Sequence, residues 1–137
     1  MPKTRLVSDQ LVEPIGHFSH AIITDSPRLL FISGMTAKNS EGGITGVGDV
    51  AAQTHQVCQN LKAVVEAAGG TLDDIARVDV FVRNMEDFKA IHEVRREYFK
   101  SDPPASTMIE ISKFVHKDYL IEINAIAALP AVQGESA

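Results

Sequence analysis

The stretch YLIEINAIAAL, residues 119–129, carries one carboxylate, Glu122, in an apolar run broken otherwise only by Asn124. A carboxylate in such a run must be paired, hydrogen-bonded, solvated by a cavity or kept protonated, because burying it bare is costly. Residues two apart on a strand share a face, so Glu122 and Asn124 form a polar pair opposite Ile121 and Ile123. If that face lines a cleft, Glu122 can act as a general base on a water. If it does not, the pair caps or bridges an interface.

The other reactive side chains are more loosely arranged. Histidines stand at 17, 20, 55, 92 and 116, and none has helical spacing to a carboxylate that would chelate a metal. His17 and His20 in GHFSH are three apart in a loop or strand start, too weak a basis for a metal site, so none is expected. His55 and His92 fall on or beside polar helix faces and are expected in solvent. His116, in FVHKD ahead of the Glu122 strand, either reaches a pocket as acid, base or donor or stays a solvated turn residue. GGITGVG lacks the preceding strand and the Lys-Ser/Thr ending of a phosphate cradle, and no serine sits in a nucleophile elbow. Cys58, the single cysteine, lies on the apolar stripe of a helix and reads as core.

These groups need elements to hold them. Apolar positions at Val50, Thr54, Val57, Cys58, Leu61, Val64, Val65 and Ala68 have helical spacing over 47–68, with Asp49 as N-cap, Gly69-Gly70 as stop and Gln53, Gln56, Asn60 and Lys62 on the polar face. RVDVFVR, residues 77–83, alternates as a strand with Val78, Val80 and Val82 on one side. A second helix follows, capped by Asn84 and stopped by SDPP, with Phe88, Ile91, Val94, Arg95 and Tyr98 inward. Residues 107–111 and 120–129 are the last strands; at the front, 21–24 and 29–33 read as a hairpin around Asp25-Ser26-Pro27, and 38–48 as a loop.

Strand, strand, helix, strand, helix, strand, strand predicts an α+β two-layer domain over 1–137 with both helices on one face of a mixed sheet. The uncovered face must meet water or another subunit, and the last strand is apolar on both sides, so homo-oligomerisation is expected. The chain has 137 residues, a net charge of -5 and scattered basic residues, which argues against nucleic acid as a partner. Its longest apolar runs fall far short of the roughly 20 residues of a membrane span, and MPKTRLVSDQ lacks a signal-peptide core. The expectation is a cytoplasmic protein without membrane or cofactor, acting on a small molecule.

The blocks SGMTA, AAQTHQVCQNLKAVVEAAGGTLDDI, RVDVFVRNMEDFKAIHEVRREYF, PPASTMIEI and YLIEINAIAAL resemble, in order, the Rid family of reactive-intermediate deaminases, also called YjgF-type proteins. The likeness covers about residues 15–129 and leaves 130–137 as a tail. It implies a chorismate-mutase-like subunit assembled as a homotrimer, with ligand clefts between adjacent subunits. Members of the best-known type hydrolyse enamines and imines to ketones and ammonia, using a water positioned by a glutamate at the place of Glu122.

The same resemblance implies a changed pocket. A PARS-like motif there supplies an arginine whose fork holds the substrate carboxylate; here the motif is PPAST, and Ser106 stands at the arginine's place. Met108 stands for a cysteine, Phe18 for a tyrosine and Glu86 for an asparagine. The expected site is therefore less positive and more apolar, with Glu122 as catalytic residue and Phe18, Ser33, Glu86, Ser106, Thr107, Met108 and His116 around the substrate. FVHKDYLIEINA is similar to the hairpin of 2-aminomuconate deaminases, so an aminomuconate-type intermediate is one candidate substrate. The alternative is a non-catalytic metabolite-binding or chaperone-like trimer that kept the cleft without the arginine. A ribonuclease fits poorly with the acidic balance.

Overall fold

The computed structural model describes residues 3–132; part of the expected tail, 133–137, lies outside them. The elements are β1 (Lys3–Leu6), β2 (Ala21–Thr24), β3 (Leu29–Met35), α1 (Val50–Ala67), β4 (Ile75–Val82), α2 (Phe88–Tyr98), β5 (Ala105–Glu110) and β6 (Ile121–Ala128), with single 3-10 turns ahead of β4 and α2. Four strands form a mixed sheet in the order β3-β6-β4-β5, antiparallel except for the β4–β5 pair. This is the α+β arrangement expected.

α1 begins where Asp49 accepts a hydrogen bond from Ala52 N (3.1 Å), an N-cap that satisfies one of the free donors of the first turn. It ends at Ala68, followed by Gly69 at φ 88°, the left-handed conformation in which glycine carries no Cβ penalty. Val57, Cys58, Leu61 and Val65 of α1 and Ile91 of α2 pack on Val78, Val80 and Val82 of β4 and Ile121, Ile123 and Ala127 of β6. All of these are buried, so strict alternation on the central strands puts one face under the helices. The opposite face carries Phe31, Phe81, Ile109, Glu122, Asn124 and Ile126, none of them fully buried.

Four expectations change. β2 and β3 exist but do not form a hairpin: β2 pairs with β1, and β3 pairs with β6. Pro27 has no N–H to contribute to a ladder, and Ser26 Oγ is tied to Leu129 O (2.6 Å), so the chain passes from one sheet to the other there. Gln53 is buried rather than on a wet face. Its amide nitrogen donates to Asp118 O (2.7 Å) and Gly46 O (3.2 Å) and its oxygen accepts from Leu120 N (2.8 Å), so it ties α1 to the start of β6. His92 is also buried: its ring stacks on Phe88 with centroids 4.0 Å apart, Nδ1 donates to Phe88 O (2.9 Å), and Gly16 closes over it. His55 is half-buried, with Nδ1 3.0 Å from Tyr98 OH.

Candidate active site

Glu122 is placed by three strands. On β6 it lies opposite Phe81 of β4, which lies opposite Ile109 of β5, so its two nearest neighbours across that side of the sheet are apolar. On the other side β3 is bulged. Ile32 pairs with Ala125 and Met35 with Ile123, which leaves Ser33 and Gly34 together facing Asn124. A bulge of this kind interrupts the ladder and re-aims the strand. Here it makes room for the carboxylate, because a Cβ on Gly34 would overlap Glu122 Oε2 and lie 2.8 Å from its Cδ. A groove of about 470 Å³ opens from Gly34 and Met35 past Thr36 and Lys38 to Asn60 and Val64.

The polar pair read from the strand is divided in the structure. Asn124 Oδ1 accepts from Asp79 N (3.2 Å), so it serves the sheet. The next polar row continues to Arg77, which donates to Asp79 Oδ1 (2.6 Å) and Thr107 Oγ1 (2.7 Å). Glu122 accepts no hydrogen bond from any described residue and belongs to no ion pair among them. Its half-buried carboxylate thus has, among the described residues, all its acceptor capacity left for water or ligand.

The remaining expected residues divide between the two sides of the sheet. Ser33, in the bulge, and Thr107 share the open face with Glu122. Ser106 and Met108 do not: they pair with Val78 and Val80, whose side chains face the helices. Phe18 lies at the start of β5, where Ser19 bridges to Ala105 and Ser19 N donates to Pro104 O (3.1 Å). Glu86 is exposed in the turn before α2, whose Met85 N donates to Glu110 Oε1 (2.9 Å) at the far end of β5. His116 stays in the exposed loop before β6, its Nδ1 accepting from Asp118 N (3.0 Å). One chain therefore places Glu122, Ser33 and Thr107 on the same face of the sheet, with β4 between Thr107 and Glu122, and puts Phe18, Ser106 and Met108 along the β5 edge.

A residue missing from the expected site stands at that edge. Arg95, read from the sequence only as an inward position of α2, donates through Nη2 to Ser106 Oγ (3.1 Å). Ser106, which stands at the place of the family's arginine, therefore has a guanidinium against its hydroxyl. Arginine on an inner helix face was the available signal, but which strand it meets is a long-range matter. Among the described residues no group of His, Cys, Asp and Glu is placed to hold a metal ion.

The family model described as Endoribonuclease L-PSP matches residues 8–129. A RutC family protein of Pyrococcus horikoshii is 40% identical over 125 residues, covering 91% of this chain and 97% of that protein. A protein of Dermatophagoides farinae named 2-iminobutanoate/2-iminopropanoate deaminase is 32% identical over 130 residues, covering 94% and 99%. A crystal structure of a Rid-family protein of unknown function from Yersinia pestis superposes with a TM-score of 0.88 at 34% identity, covering 94% of this chain and 100% of that one. With the order of strands and helices, the site strand and these likenesses in agreement, the chain belongs to the Rid (YjgF-type, Endoribonuclease L-PSP) family.

Proposed function

We propose that the protein is a hydrolytic deaminase of an enamine or imine, with Glu122 holding and deprotonating the attacking water. The observation that carries the reading is the Glu122 carboxylate itself, without a partner among the described residues, beside Phe81 and fitted into the space left by Gly34. Water adds to the C=N carbon, its proton passing to Glu122 while the imine nitrogen takes up a proton from solvent. The resulting carbinolamine collapses when Glu122 returns its proton to the nitrogen: the C–N bond breaks, the hydroxyl oxygen's electrons form the C=O bond, and the hydroxyl proton passes to solvent, leaving a ketone and ammonia. The name of the Dermatophagoides farinae relative supports this reaction class; an aminomuconate-type enamine remains within it.

A second reading, a trimer that binds a metabolite without converting it, is favoured by one observation: Ser106 and Glu122 face opposite sides of the sheet in one chain. One experiment separates the two. Imines generated in situ by an amino-acid oxidase are supplied to wild-type protein and to Glu122→Gln, and ammonia release is followed beside oligomer mass. The deaminase reading expects wild type to accelerate release and Glu122→Gln to lose about a hundredfold or more at unchanged mass. Equal turnover by the two proteins sinks it.

A further inference from the structure

Arg95 has no exposed surface, yet its guanidinium makes one hydrogen bond, Nη2 to Ser106 Oγ at 3.1 Å. Nε and Nη1 are buried and have no partner among the described residues. Burial lowers the arginine's pKa to about 10, so the group still carries its charge at neutral pH. Among the described residues the one ionisable neighbour that acts on it is Cys58, whose thiol burial pushes up to about 12 and so keeps neutral. A buried cation without a counter-ion is costly, and natural folds retain one mainly where something completes it.

Arg96 adds charge of the same sign: it acts with Arg95 on His17 and His92, whose lowered pKa values leave both rings neutral at pH 7, and no carboxylate is among the groups acting on either histidine. Ser106 supplies the link to the surface. It is half-buried on β5, an edge strand of the sheet, and having accepted from Arg95 it keeps its own hydroxyl proton to donate. Phe18 at the start of β5 and Met108 two residues along the strand add apolar flanks.

We propose that Arg95, acting with Ser106, is the anion anchor of this chain and holds the carboxylate of a small organic acid at the outer edge of β5. The serine hydroxyl donates to one carboxylate oxygen, and the guanidinium behind it supplies the charge. The serine of PPAST is then a relay for an arginine carried on α2, and its presence does not make the site uncharged. The inference deepens the deaminase reading by giving the imine a carboxylate, and rests on that reading for its part in turnover. Binding is measured without turnover.

The probe is 2-oxobutanoate, titrated into the full chain, with 2-butanone as the uncharged control. Because Nε–H of Arg95 is buried, its exchange with solvent is expected to be slow enough for its nitrogen–proton resonance to be followed. That resonance should move on adding 2-oxobutanoate and stay in place with 2-butanone. Arg95→Gln should weaken binding by about tenfold or more, and Ser106→Ala by a smaller factor, about threefold. An Arg95 resonance unmoved at saturation, no binding of the acid, or equal affinity in a folded Arg95→Gln protein overturns the proposal; should that variant not fold, the wild-type resonance decides. Carboxylate binding without ammonia release leaves the anchor and sinks the deaminase. Equal ammonia release from charged and neutral imines does the reverse.

Discussion

At the scale of single residues, a bare carboxylate is useful only if its oxygens are held in place. Among the described residues no group hydrogen-bonds the Glu122 carboxylate to orient it, so packing must do so, and Gly34 is the contact that sets the available space. Gly34→Ala would put a Cβ against Oε2 and 2.8 Å from Cδ, and the flexible carboxylate would swing away rather than the backbone yield. Stability should change by no more than about 1 kcal/mol, whereas turnover should fall by about a hundredfold, the cost of a displacement on the order of 1 Å. Denaturation midpoints and ammonia release measured on the same preparation check this. A variant with wild-type turnover would show that Glu122's position is set elsewhere. The glutamate was legible in the sequence because a carboxylate amid Ile and Ala needs a reason. The glycine was not, since a bulge exists only once two strands have chosen their register.

At the scale of elements, α2 is held to the N-terminal segment by two histidines. His17 bonds Phe99 O, and His92 stacks on Phe88 beneath Gly16. Burial first, with Arg95 and Arg96 adding to it, lowers the pKa of His92 from 6.5 to about 4, and His17 shifts the same way. In the unfolded chain His92 protonates near 6.5, in the folded chain only near 4, so between these values the unfolded state binds the extra proton. The contribution to stability is therefore complete above about pH 6.5 and is lost as pH falls. Urea midpoints taken from pH 7.5 down to 4.5 should drop more steeply for wild type than for His92→Asn; parallel slopes would refute the account. Helices and strands were readable where apolar periodicity was clean, as at Val57, Cys58 and Leu61 or Val78, Val80 and Val82. Gln53 and His92 were misread because a polar side chain implies water unless a distant loop covers it, and loop placement leaves no local pattern. For the same reason KTRL gave no hint that β1 would take β2 as partner.

At the scale of the whole molecule, the two halves of the candidate site do not meet within one chain. Ser106, with Arg95 behind it, faces the helices on β5, while Glu122 faces the other way on β6 with β4 between them. A single ligand can touch both only across a boundary between copies. On the proposed reading that boundary falls on the open face, where Phe31 is 71% exposed on β3 and Ile109 46% exposed on β5. Co-expression of Glu122→Gln and Arg95→Gln chains tests this directly. Each variant alone should be inactive, one lacking the base and the other the anchor. In mixed assemblies some clefts take Glu122 from one chain and Arg95 from its neighbour, and random mixing gives about a quarter of clefts complete in a closed ring. Ammonia release should return to about that fraction of wild type. If the mixture stays at the background of its components while each binds its neighbours normally, base and anchor do not serve one ligand, and the shared cleft is wrong.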